Sequence, residues 1–239
     1  MMAVILAGGK GTRLKPFTMT IPKPLLPLGD VPIIEVVLKQ LARSGFKQVV
    51  MTLGHMAPLF QAHVGDGTKF GLKISHLIEE QPLGTAGPLR LIRDLDENFL
   101  VMNGDLLTTL DFHALLQFHS QNKAWGTISL QRREVRIDYG VVHTSEDGRL
   151  SNYDEKPTIS YEVSMGINVL SRNCLPFIPA NGKYDMPQLM LDMHKAGHRV
   201  MCYRPNCYWK DIGRFDDYQE ASADFDADPE RFLSSAHAH

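Results

Sequence analysis

Cysteine is scarce and odd in number. The three residues Cys174, Cys202 and Cys207 form no Cys-x-x-Cys pair. That argues against a zinc cluster or a disulfide framework and for a reducing compartment. Charge of one sign is also missing, since 25 Lys and Arg stand against 27 Asp and Glu for a net charge of −2. This balance excludes the basic footprint of a nucleic-acid binder and any like-charged tail. No run approaches the ~18 apolar residues of a membrane span. No basic stretch with an apolar signal core opens the chain, so a cytoplasmic protein is expected. Catalytic signatures are lacking as well: no Ser/His/Asp or Cys/His grouping stands out. Asp105 is followed by Leu106-Leu107 rather than by a second carboxylate, which weakens a metal-dependent glycosyltransferase reading. His194-x-x-x-His198 has metal-pair spacing, but Lys195 stands where a zinc protease has Glu, and Gly197 reads as a helix stop.

What the chain does have is concentrated at its start. The apolar run Ala3-Val4-Ile5 leads into Leu6-Ala7-Gly8-Gly9-Lys10-Gly11-Thr12-Arg13. Gly8, Gly9 and Gly11 let backbone N–H groups approach a ligand and form an anion cradle, and Arg13 adds a planar donor fork for phosphate. The loop is neither a Walker A motif nor a dinucleotide fingerprint, because no Gly-Lys-Ser/Thr occurs and Leu14 stands at the third glycine position. Pro22-Lys23-Pro24 then stiffens the backbone around one Lys, as suits a cation held toward phosphate.

Strand-length apolar runs at 2–6, 48–53, 73–78 and 98–103 alternate with helical patterns at about 32–44, 57–64 and 85–95. This alternation predicts an α/β fold with helices on both faces of a mainly parallel sheet. Residues 124–131, 139–144, 149–154 and 162–170 read as an antiparallel meander, with turns at 134–138, 145–148 and 156–161. Helices follow at about 184–196 and 214–224, and a tail from 226 is expected to fray. Ligands of such sheets bind at the carboxyl ends of the strands, where the glycine loop and Asn103-Gly104-Asp105 both fall.

Further polar groups gather around this edge. Gln81 offers a donor and an acceptor suited to a base edge. Gly84 allows a flat ring to approach, and Thr85 either shares in base binding or simply caps the next helix. Asp105 at a strand end suits Mg²⁺ beside phosphates, with Asp211 as a partner from a distant segment. Glu155 suits sugar hydroxyls and Lys156 a second phosphate, unless both belong to a solvated hairpin end. Gly166 leaves room for a sugar ring or marks a bulge.

Eight elements in one order resemble the sugar-1-phosphate nucleotidyltransferases, the nucleotide-sugar pyrophosphorylases. They are Leu6 to Thr18, Pro22-Lys23-Pro24, Pro82 to Ala86, Asn103-Gly104-Asp105, Tyr139 to Val142, Glu155-Lys156-Pro157, Gly166-Ile167 and Trp209-x-Asp211-Ile212-Gly213. The similarity spans about residues 2 to 224 and is greatest to short, single-domain bacterial members acting on mannose-, glucosamine- or heptose-1-phosphate.

The resemblance implies a Rossmann-like three-layer α/β/α domain over 1–225, with a mixed, mainly parallel central sheet and a sugar-binding antiparallel meander. Residues 226–239 would be a tail. It implies Mg²⁺-dependent condensation of a nucleoside triphosphate with a sugar-1-phosphate, releasing pyrophosphate. GTP is favoured over dTTP, UTP or CTP, although Gln81 departs from the Glu of many guanylyl- and uridylyl-transferring relatives. Arg13 and Lys23 would be catalytic. Leu6, Ala7, Gly8, Gly9, Gly11, Thr12, Gln81, Gly84 and Thr85 would bind nucleotide. Asn103, Tyr139, Gly140, Glu155, Lys156, Gly166 and Asn168 would bind the sugar phosphate, and Asp105 and Asp211 the metal. No nucleic acid or membrane partner is implied, and self-association is compatible with the reading. A catalytically silent nucleotide-sugar-binding relative should have lost part of the Arg13, Lys23, Asp105 and Asp211 set, which is complete here.

Overall fold

The computed structural model describes residues 1–9, 11–54 and 56–233. Lys10, His55 and the terminal Ala-His-Ala-His lie outside the described residues. The strands are β1 (Met2–Ala7), β2 (Pro27–Leu28), β3 (Val31–Pro32), β4 (Gln48–Leu53), β5 (Lys73–Ile78), β6 (Asn98–Asn103), β7 (Leu106–Thr108), β8 (Gly126–Arg136), β9 (Val141–Thr144), β10 (Leu150–Asp154), β11 (Thr158–Ser171), β12 (Val200–Tyr203) and β13 (Trp209–Asp211). The helices are α1 (Ile33–Arg43), α2 (Ala57–Val64), α3 (Phe112–Gln121), α4 (Met186–Lys195), α5 (Phe215–Ala227) and α6 (Pro229–Leu233).

A seven-stranded sheet runs β12-β8-β11-β6-β1-β4-β5. Only β11 is antiparallel to its neighbours β6 and β8; every other pairing in this sheet is parallel. The four strands β5, β4, β1 and β6 therefore end on one edge. β1, β4 and β6 are largely apolar on both faces because both faces are covered, whereas the edge strand β5 leaves Lys73 and Ser75 exposed. On one face Ile5, Met51 and Met102 pack with Val37, Leu41, Phe60 and Leu115 of α1, α2 and α3. On the other, Val4, Val50 and Val101 pack with Leu189, Met190 and Met193 of α4. A third buried cluster joins Leu14, Leu28, Ile33, Leu107, Ile212, Ala221, Phe225 and Phe232. It anchors the segment carrying Arg13 to the β7–β13 ribbon and α5.

Several expectations need correction. The helix expected over 85–95 is one 3-10 turn, Gly87–Leu91. The Ala86 and Gly87 N–H groups that would open a helix donate instead to the Tyr184 carbonyl, both at 3.0 Å. The meander is nested rather than serial: β8 pairs with β11, and β9–β10 forms a separate hairpin between them. Residues 134–136 and 158–161, expected as turns, continue these strands as a two-stranded arm. Residues 226–227 and 229–233, expected to fray, belong to α5 and α6, with Phe232 only 1% exposed. The stretch between 104 and 123, unassigned by pattern, holds α3, whose N-cap Asp111 accepts a hydrogen bond from Ala114 N.

His119 on α3 is fully buried between Thr127 Oγ1 at 2.8 Å and Asn98 Oδ1 at 3.2 Å. Burial depresses its pKa from 6.5 to about 4. The unfolded chain therefore binds the extra proton between those values. The stability His119 contributes as a neutral ring is complete above about pH 6.5 and is lost as pH falls toward 4. Urea titrations should show a loss approaching about 1.4 kcal/mol per pH unit from this group. His119→Gln should lack that component; an unchanged slope would assign the acid loss to other groups.

Candidate active site

The carboxyl ends of β1, β4, β5 and β6 open into a cleft of about 570 Å³ lined by Leu6, Ala7, Gly8, Gly9, Glu79, Gly84, Thr85, Asn103 and Asp105, among others. A second cleft of about 340 Å³ includes Ile128, Gly166, Asn168, Met186, Trp209 and Asp211 in its wall. The two share Leu6, Thr85 and Asn103 and so form one contiguous trough.

The glycines have distinct jobs. Around Gly9 nothing lies within 4 Å of where a Cβ would sit, so its backbone faces open cleft. Gly11 adopts φ +58°, and its carbonyl accepts from Leu14 N at 3.0 Å and Thr18 Oγ1 at 2.7 Å. This closes the turn that presents Thr12 and Arg13, and it sets Gly11 against the stem of Lys23.

Four charges gather beside the trough: Asp105 lines the first cleft and Asp211 the second, while Arg13 and Lys23 line neither. Lys23, 7% exposed, places Nζ 2.5 Å from Asp105 Oδ2 and 3.6 Å from Asp211 Oδ1. Asp105 and Asp211 are 106 residues apart by number, yet the β7–β13 ribbon pairs Leu106 with Asp211, and Ile212 N donates to the Asp105 carbonyl at 3.2 Å. Arg13 Nη1 reaches the Gly213 turn beside Asp211. Burial holds the Asp211 carboxyl above its ordinary value; Lys23 and Arg13 pull it down, and Asp105 pushes it up. Two carboxylates from separate segments converge on one cationic nitrogen. Hard oxygen donors already facing a cation fit a divalent metal ion such as Mg²⁺.

The trough gathers most of the residues singled out in the sequence, but not all. Gln81 is exposed and is absent from the cleft wall, whereas Glu79 lines it. Glu79 follows β5, accepts from Leu83 N at 2.9 Å, and lies beside Gly8. Its pKa is raised by burial, an effect opposed by the Leu83 N–H. It is not among the residues singled out in the sequence; its position directly after β5, at the carboxyl end of a strand, is the signal that could have found it.

Gly84 serves chain packing. At φ +83°, a Cβ there would stand 2.5 Å from the Tyr184 carbonyl oxygen and 2.6 Å from Asp185 Oδ1. Thr85 caps a helix, but it is α4, through Met186 N to Thr85 Oγ1 at 2.7 Å, while Asp185 Oδ1 accepts from Thr85 N at 3.0 Å. Asp185 and Lys183 also line the first cleft, and no local motif announced them. Gly166, at φ +70°, sits at a register shift of β11 and leaves room for the Asn103 amide, so it marks a bulge as well as lining the second cleft. Tyr139, Gly140, Glu155 and Lys156 line neither cleft: Tyr139, Glu155 and Lys156 are exposed on the β9–β10 arm, and Gly140 lies under the Tyr153 ring.

Fold and site together define an α/β protein with an open trough at the carboxyl edge of its sheet. The chain belongs to the nucleotidyl transferase family, whose model matches residues 2–228. It is 34% identical over 233 residues to a mannose-1-phosphate guanylyltransferase of Mycobacterium tuberculosis, covering 93% of this chain and 64% of that protein. It is 32% identical over 241 residues to a UTP–glucose-1-phosphate uridylyltransferase of Synechocystis, covering 92% of this chain and 62% of that one. The chain thus spans a little under two thirds of the length of these curated relatives. HddC from Yersinia pseudotuberculosis, solved in complex with GMP-PN, superposes with a TM-score of 0.71 at 26% identity, over 94% of this chain and 99% of that one. Among the described residues no helix is long and apolar enough to cross a membrane.

Proposed function

We propose that this chain condenses a nucleoside triphosphate with a sugar-1-phosphate to give a nucleotide sugar and pyrophosphate. The observation that carries the reading is the convergence of Lys23 on Asp105 and Asp211, which line the two clefts of the trough, with Arg13 beside Asp211. A phosphate oxygen of the sugar-1-phosphate attacks the α-phosphorus, the bond to the bridging oxygen breaks, and pyrophosphate leaves. No covalent enzyme intermediate is required, so the protein contributes positioning and charge compensation. The backbone of Gly8, Gly9 and Gly11 cradles the triphosphate, with Leu6, Ala7 and Thr12 alongside. Arg13 offsets charge on the departing pyrophosphate, and Lys23 neutralises the transferring phosphate. Asp105 and Asp211 would hold Mg²⁺, whose charge screens the triphosphate toward the incoming anion. Asn103, Gly166 and Asn168 wall the sugar side. Tyr139, Gly140, Glu155 and Lys156 join them only if the arm folds over the second cleft. A cytoplasmic setting suits the free cysteines.

GTP is the favoured triphosphate. Glu79 presents carboxylate oxygens, which are acceptors, and guanine presents paired N–H donors on its Watson–Crick edge. Gln81, exposed outside the cleft wall, is the weaker base reader.

A pyrophosphate-release panel of GTP, UTP, dTTP and CTP against common sugar-1-phosphates, with and without Mg²⁺, tests the reading. At least one pair should release pyrophosphate, GTP best; silence across the panel defeats the proposal. Glu79→Gln should lower kcat/KM for GTP relative to UTP and dTTP by roughly tenfold or more, since it swaps an acceptor for a donor facing guanine. An unchanged ratio would remove Glu79 from base selection.

A further inference from the structure

The position of the Lys23 ammonium carries a consequence for when the cation enters. Lys23 is buried, and its Nζ lies between Asp105 Oδ2 and Asp211 Oδ1. These carboxylates come from segments joined by the β7–β13 ribbon, the Ile212–Asp105 backbone bond and the Leu107–Ile212 cluster. An ammonium thus occupies the point on which two hard oxygen donors converge.

We propose that in the nucleotide-free protein Lys23 is a placeholder for the divalent cation, so that the metal is admitted only together with the nucleotide. The inference rests on the reading of Asp105 and Asp211 as metal ligands and goes beyond it. Three physical arguments support it. First, Lys23 and Arg13 already offset Asp105 and Asp211, so a bare divalent cation meets carboxylates that are taken and two positive charges nearby. Second, a nucleoside triphosphate brings the anionic charge that relieves this, giving the Lys23 ammonium a phosphate partner and freeing both carboxylates. Third, the anchor and the mover are separate. The Lys23 backbone is fixed in a 3-10 turn between Pro22 and Pro24, while its side chain is a flexible four-carbon stem.

Mn²⁺ binding measured by electron paramagnetic resonance, on the full-length chain without nucleotide, tests this. Wild type should bind Mn²⁺ at least tenfold more weakly than Lys23→Met, and the gain should vanish in Lys23→Met combined with Asp211→Asn. Equal affinity of wild type and Lys23→Met overturns the proposal, as does a gain that survives loss of Asp211. Should Lys23→Met fail to fold, wild-type crystals soaked in MnCl₂ alone decide the matter. An anomalous peak between Asp105 and Asp211 overturns the proposal; its absence there, with a peak appearing on adding a triphosphate analogue, supports it. The two readings fail separately. A protein that makes nucleotide sugar yet binds Mn²⁺ tightly alone loses only the placeholder, and one that never releases pyrophosphate loses only the proposed activity.

Discussion

Arg13→Ala should lower kcat for pyrophosphate release about 100-fold or more while changing the nucleotide Kd much less. The reason lies in how the residue is held. The Gly11 carbonyl fixes the turn on one side of Arg13, and buried Leu14 fixes it on the other. The guanidinium is exposed, lines neither cleft, and sits by the Gly213 turn and Asp211. In the proposed reaction it offsets charge that appears as pyrophosphate separates, rather than gripping the resting nucleotide. Arg13→Lys should recover only part of the loss, because a point charge replaces a planar fork. Steady-state kinetics beside a direct binding measurement separate the outcomes. Parallel losses in kcat and affinity would make Arg13 a ground-state phosphate contact, and near-normal turnover would remove it from the chemistry.

Gly84→Ala should destabilise the fold by about 3 kcal/mol and weaken nucleotide binding at least tenfold. Two costs add at this position. The residue sits at φ +83°, where an L side chain is strained, and the new methyl would stand 2.5 Å from the Tyr184 carbonyl oxygen. That carbonyl cannot simply retreat, because it accepts from both Ala86 N and Gly87 N. Its neighbour Asp185 holds Thr85, which in turn caps α4. Displacement of the 83–87 loop would therefore disturb the walls of both clefts, which share Thr85. Urea unfolding and a nucleotide titration check the two numbers; a variant within about 1 kcal/mol of wild type would show that the loop yields freely.

The parallel half of the sheet was legible because β1, β4 and β6 are buried on both faces and read as near-continuous apolar runs between helix-period segments. The nested arm was not. Residues 132–136 and 158–162 are exposed, the first segment mostly charged and the second mixed, and their pairing across the β9–β10 hairpin leaves no buried apolar run. The missing helix at 85–95 has the same kind of cause. Its first N–H groups are claimed by a carbonyl almost 100 positions away, a competitor that local propensity does not register. At the site, Glu79 shows the limit of motif reading: Gln81 carried the more suggestive side chain, but the path of the chain after β5 faces Glu79 into the cleft.

By itself the sequence determined the α/β class, the glycine-rich loop with Arg13, the proline-flanked Lys23, and Asp105 at a strand end. Each of these depends on local chemistry: glycine conformational freedom, proline rigidity, apolar periodicity and the charge a residue carries. The tertiary structure alone decided which of them touch. It paired β7 with β13 and so brought Asp105 and Asp211 to a common point, set Lys23 between them, and assigned Gly84 to chain packing against Tyr184 and Asp185. Those outcomes depend on contacts between residues about 80 to 190 positions from their partners. Such distances are set by the buried clusters and the sheet order, and they leave no signature in any short stretch of the chain.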